Sequence, residues 1–201
     1  MNPVTPEETP VQPVEVDNRT TIHIVCHSHD DVGFQQTPEE YFKNKVNEII
    51  SSVIYALRDD QKRKFSQTEI YYFSRWWAEQ SSVMKQDVIQ LVEEGRLEFL
   101  LGGWVANDEA CPLYEDLVTN VMIGHEFLKR ELKLNPPKTA WLVDSFGHSA
   151  ATPELFQKMG FDSLFFARIN ELEKDARKQR QEMEFIWKPE FEGINGTEAS
   201  I

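Results

Sequence analysis

Basic residues are scarce in this chain. Against 34 acidic side chains stand 21 lysines and arginines, a formal net charge of −13, and that balance argues against nucleic acid or an anionic membrane as a partner. Cysteine is scarcer still. Cys26, in an apolar run, and Cys111, at a helix start, make neither a disulfide framework nor a zinc knuckle, and both read as buried thiols. No window approaches the ~20 apolar residues of a membrane-spanning helix, and the N-terminus lacks the basic-then-apolar pattern of a signal peptide. Internal repeats and low-complexity tracts are missing too. What is present is 40% hydrophobic content over 201 residues, enough for one sizeable core.

Composition divides the chain unevenly. Residues 1–19 carry Pro3, Pro6, Pro10 and Pro13 among acidic side chains and are expected to be disordered or linker; 191–201 read as a tail or the start of a further segment. Asn18-Arg19-Thr20 and Asn195-Gly196-Thr197 fit the N-glycosylation pattern, which implies a secretory route where it is used. Residues 20–190 alternate β-rich and helical segments. Strands are predicted over 20–27, 67–73, 97–101, 138–143 and 163–167. Thr37-Pro38-Glu39-Glu40 reads as a capped helix start, followed by an apolar face from Phe42 to Leu57. Further helices fit 81–94, 112–132, 153–159 and 171–184, with Gly95 and Gly160 as stops. A βαβα series predicts an α/β fold with a parallel sheet covered by helices.

The chemistry gathers where strands are predicted to end. His27-Ser28-His29-Asp30-Asp31-Val32-Gly33 follows the first strand, and His29 and Asp31, two positions apart on extended backbone, can face one cation. The second strand runs into Ser74-Arg75-Trp76-Trp77, and the third into Gly102 to Glu109. The fourth reaches Asp144-Ser145-Phe146-Gly147-His148-Ser149, and the fifth reaches Arg168. Carboxylates, tryptophans and an arginine on the carboxyl edge of a parallel sheet describe a sugar site, since aromatic faces pack on pyranose C–H faces while charged groups bind hydroxyls.

Each residue also has a plainer reading. The histidine pair can satisfy a polar turn, and Asp144 can cap the turn after its strand. Trp76 and Trp77 are adjacent and point differently, one to the core. Asp108 and Glu109 read either as solvated loop acids or as hydroxyl acceptors. His148 reads as a loop-holding residue, and His23 and His125 as structural.

The ordered set HSHDDVG, FSRWW, LEFLLGGWVANDEA, WLVDSFGHS and GFDSLFFAR resembles the N-terminal catalytic region of glycoside hydrolase family 38 α-mannosidases, particularly the lysosomal-type branch, over roughly 20–190. The resemblance implies part of a parallel βα barrel-like domain and a zinc-dependent retaining exo-α-mannosidase. The implied substrate is terminal α-linked mannose on N-glycans and free oligomannosides, and the implied location is lysosome, vacuole or secretory pathway. It makes His29, Asp31 and Asp144 zinc ligands and Asp144 the nucleophile. It also makes Arg168 an active-site residue beside the substrate-wall candidates Phe34, Trp76, Trp77, Trp104 and Asp108. Phe34 stands where the family usually has tryptophan, and Ser145 where it has proline, which predicts a looser turn. The family's acid/base aspartate and a fourth, histidine ligand have no match here, so 1–201 alone is expected to lack activity, with the rest of the same protein as its partner.

Two other readings remain open. His27-Ser28-His29 alone matches the HxH of metal-dependent amidohydrolases on a (β/α)₈ barrel. A catalytically inert sugar-binding fragment is the non-enzyme alternative.

Overall fold

Residues 20–188 are described by the computed structural model; Asn18, Asn195 and the predicted terminal segments lie outside them. The first long helix begins as its sequence dictates. Thr37 closes a capping box, its hydroxyl accepting from the Glu40 N–H while the Glu40 carboxylate accepts from the Thr37 N–H at 3.1 Å. Helix α1 (Pro38–Tyr41) then passes through a wider π-helical stretch, Phe42–Val46, into α2 (Asn47–Asp59). One face of this continuous rod is buried, with Phe42, Val46, Ile50, Ile54 and Leu57 facing inward.

Beyond it the chain alternates as an α/β fold requires. Strand β1 (Phe65–Gln67) leads into α3 (Ile70–Glu79), and α4 (Ser82–Glu93) leads into β2 (Leu97–Phe99). Helix α5 (Tyr114–Leu132) precedes β3 (Thr139–Leu142), α6 (Ala151–Met159) precedes β4 (Ser163–Phe166), and α7 (Glu171–Arg180) follows. Ser81 caps α4, its hydroxyl accepting from the Met84 N–H, and Gly95 and Gly160 end α4 and α6 with φ of 64° and 92°.

Both strand pairings are parallel, β1 with β2 and β3 with β4. A hydrogen bond from the Leu101 N–H to the Thr139 carbonyl links the two pairs, so they continue one another. Flat strands sit about 4.8 Å apart, yet the His27 ring, beside β1 through its bridge to Ser66, lies 5.0 Å from the Trp141 ring on β3. The strands must curl around a common inner face to allow that contact.

Three sequence expectations fail. Residues 20–27 form no strand beyond the single bridge at His27, and Ile22 and Ile24 are exposed. The segment 67–73 is mostly helix: the strand ends at Gln67, and Ile70, Phe73, Trp76 and Trp77 bury one helical face. Aromatic and β-branched richness favoured a strand, but the three-and-four spacing decided the structure. Cys26 and Cys111 are both exposed, because the apolar run around Cys26 does not pack and Cys111 sits in an open loop.

The loop after β2 is fixed by contact with α5. A Cβ on Gly124 would stand 1.9 Å from the Gly102 carbonyl oxygen, so backbone lies directly on backbone there. Gly124→Ala is therefore expected to destabilise the protein by about 3 kcal/mol, the upper range for overpacking. Gly95→Ala meets nothing within 4 Å and carries only the strain of its positive φ, about 1–2 kcal/mol. Thermal unfolding of the two variants checks the difference; equal losses would mean that the helix–loop contact relaxes freely.

Candidate active site

Beyond the bridge at His27, the His29 and Asp31 side chains turn toward one point. His29 Nε2 lies 3.1 Å from Asp31 Oδ1 and 3.4 Å from Asp144 Oδ2. Asp144 reaches this point from the loop two residues past the end of β3. One ligand atom from each of the three half-buried residues falls within 4.8 Å of the others. The nitrogen between the two carboxylates is sealed from solvent and makes no hydrogen bond of proper geometry to either. An orphaned imidazole nitrogen facing two carboxylates suits a divalent cation, which satisfies all three at once.

Two further acids back this group, and sequence reading had singled out neither. Glu69, at the start of α3, is 1% exposed; its carboxylate accepts from the Thr68 hydroxyl at 2.6 Å and stands 3.9 Å from His29 Nδ1. Burial pushes its carboxyl above the usual range. Asp30 is buried as well, with the same upward push from burial. The available signal was position: Asp30 lies inside the histidine–aspartate cluster, and Glu69 lies two residues past the end of β1.

His29, Asp31, Glu69, Asn107, Asp108 and Asp144 all line one cavity of about 290 Å³. Asn107 is a third residue the sequence reading did not single out. Its side-chain amide is buried without a partner, while its carbonyl accepts from the Ser145 hydroxyl at 2.8 Å. Ser145 therefore ties the turn after Asp144 to the neighbouring loop. Burial raises the Asp108 carboxyl, but the Ala110 N–H, the Cys111 thiol and the Cys111 N–H outweigh it and hold the group below the ordinary range. Helix α5 supports this loop from below: the Asn120 side chain accepts from the Val105 N–H at 2.9 Å and donates to its carbonyl at 3.1 Å. Half-buried His125 lies 2.9 Å from the Leu101 carbonyl, and its partial burial pushes the imidazole down.

Other expected residues lie elsewhere. Trp76 is 1% exposed with its indole N–H on Ser51, and Trp77 is equally enclosed with its N–H on Glu131, so both are core residues and neither is a sugar wall. They sit on α3, which replaced the predicted strand. Trp104 packs edge-on against Tyr71 and the core, outside the cavity lining. Phe34 is 59% exposed and also outside that lining. Arg168 pairs with the Asp144 carboxylate and lies 5.3 Å over the Phe146 ring. Glu109, expected as a solvated acid or hydroxyl acceptor, is buried and accepts from the Thr152 hydroxyl. The HxH does not act as a pair, since only His29 faces the carboxylates while His27 rests on Trp141.

Residues 19–195 match the model of the glycosyl hydrolases family 38 N-terminal domain. An alpha-mannosidase of Arabidopsis thaliana is 40% identical over 185 residues, covering 88% of this chain and 18% of that protein. Human lysosomal alpha-mannosidase is 42% identical over 180 residues, covering 85% of this chain and 18% of its own length. The chain thus spans under a fifth of the curated relatives it matches. The crystal structure of an alpha-mannosidase from Enterococcus faecalis V583 superposes with a TM-score of 0.62 at 22% identity, over 72% of this chain and 16% of that one, a likeness of fold. With the family model covering all the described residues, the chain belongs to glycosyl hydrolase family 38 and carries that family's N-terminal domain.

Proposed function

We propose that the protein carrying this domain is a zinc-dependent retaining exo-α-mannosidase acting on terminal α-linked mannose of N-glycans and free oligomannosides, in a lysosome, vacuole or secretory compartment. The observation that carries the reading is the meeting of His29, Asp31 and Asp144 at one point of a family 38 domain. The imidazole and two carboxylates match the donor types zinc takes, and His29, Asp31 and Asp144 are the residues assigned to hold it. Bound zinc would supply Lewis-acid contacts for sugar hydroxyls and favour the ionised form of Asp144.

The remaining roles fall to the chain's own groups. Asp144 attacks the anomeric carbon, its oxygen forming the new bond as the glycosidic bond breaks, and a mannosyl ester results. Arg168, paired with this carboxylate, fixes its orientation for attack. Asp108, held ionised by backbone N–H groups, is suited to accept from a sugar hydroxyl and ill suited to give a proton. Glu109 is committed to its own partners. The resemblance to family 38 assigns the protonated carboxyl that releases the leaving oxygen, and a fourth metal ligand, to parts of the protein outside 1–201, and the strands to a larger barrel-like domain.

Metal content tests the ligand assignment. His29→Ala and Asp31→Ala in the full-length protein are expected to retain about a tenth or less of the wild-type zinc after dialysis, as loss of a protein ligand demands. Asp30→Asn, isosteric with a protonated carboxyl, should retain most of it. Full stoichiometry in both ligand variants would remove the assignment.

Labelling tests the chemistry. A fluorinated mannosyl inactivator should esterify Asp144, found by peptide mass spectrometry, and Asp144→Asn should lower kcat by roughly 10⁴-fold or more. A label on Asp108, or inverted product stereochemistry, would defeat the proposed nucleophile.

A further inference from the structure

Arg168 poses a problem of placement. Its side chain is 56% exposed, and an exposed arginine gains little from one ion pair while losing rotamer freedom to keep it. Its main chain is held differently. The Arg168 carbonyl accepts from His148 Nε2 at 2.9 Å, which fixes the proton on that nitrogen. The other ring nitrogen, Nδ1, lies 3.2 Å from Glu109 Oε1. These side chains are only 10% and 4% exposed respectively. Glu109 is anchored in turn by the Ser149 N–H and by the Thr152 hydroxyl at 2.8 Å, both at the start of α6. The Phe166 ring, 4.9 Å from that of His148, packs against the imidazole.

We propose that Glu109 and His148 are positioning residues, which set the Arg168 main chain and through it the guanidinium on Asp144. A buried carboxylate is costly unless fully partnered, and every partner of Glu109 here belongs to the loop and helix start beside the cavity. The path crosses three strand-end loops, those after β2, β3 and β4. Neither residue lines the cavity, so each acts through Arg168 rather than on the sugar. The inference rests on the reading of Asp144 as the reacting carboxylate.

A double-mutant cycle in the full-length protein tests it, using an aryl α-mannoside as substrate and zinc content as a parallel readout. His148→Ala is expected to lower kcat/KM by ~10- to 100-fold, the range for partners that orient a site residue, with the loss mainly in kcat and zinc stoichiometry unchanged. Glu109→Gln, which keeps volume, should lose about tenfold and carries the test where His148→Ala does not fold. In an Arg168→Ala background either change should cost no more than about twofold further, because groups that act through one another are not additive. Wild-type kcat/KM in the folded single variants, or losses that multiply with that of Arg168→Ala, would overturn the proposal. Arg168→Ala with full activity, or a wild-type protein that does not cleave the mannoside, would instead overturn the functional reading and the proposal with it.

Discussion

Parallel pairing is the constraint on which the rest depends. Strands that run the same way cannot be joined by a tight turn, so each must return over a helix, and all strand ends then open on one edge. In this chain that edge receives His29, Glu69, Asp108, Asp144 and Arg168 from five separate stretches of sequence. No local motif could gather them. The curl that brings His27 against Trp141 shortens the distance between the first and fourth of these stretches until a histidine and an aspartate 115 positions apart in sequence come within 3.4 Å.

That gathering has an electrostatic cost. His29, Asp31, Asp144, Glu69 and Asp30 place four acids and one imidazole in a small volume of a chain already at −13. Buried carboxylates without counter-charge either bind protons or find a cation. Both tendencies are present here. Glu69 and Asp30, behind the cluster, are pushed toward the neutral form by burial, whereas Asp144, half open to the cavity, meets the guanidinium of Arg168. The orphaned nitrogen of His29 leaves room for a further positive charge between its carboxylates. Glu109 solves the same problem separately, accepting from a backbone N–H and a hydroxyl and sharing a proton with His148 Nδ1.

Helix ends were legible because their chemistry is local. Thr37 with Glu40, Ser81 with Met84, and the left-handed glycines 95 and 160 each act within a few residues, so the sequence alone located them to within a residue or two. The three later strands were legible for a similar reason, as apolar runs between clear stops. The 70–77 stretch was not, because aromatic composition and helical spacing point in opposite directions there. What resolves the conflict is long-range packing: Phe73 sits 5.0 Å from Phe99 and 6.3 Å from Phe127, contacts that exist only when α3 lies over β2 and α5. That conflict extended to function, because Trp76 and Trp77, expected as wall candidates with one of them turned to the core, both belong to the core.

The site itself shows which kinds of signal survive such errors. His29 and Asp31 were paired by their two-residue spacing, and their side chains do meet although residues 20–27 form almost no ladder. Asp144 was legible because it stands where an apolar run stops. Glu69 and Asn107 were not, since their significance lies in burial without a full set of partners, which depends on what other segments cover. Glu109 lies between these cases. Its place beside Asp108 was visible, but its role was decided by His148, Ser149 and Thr152, some forty residues later in the chain and supplied by the turn after β3. A residue whose partners are close in sequence announces its role; one whose partners arrive on another strand's loop acquires that role only when the sheet assembles.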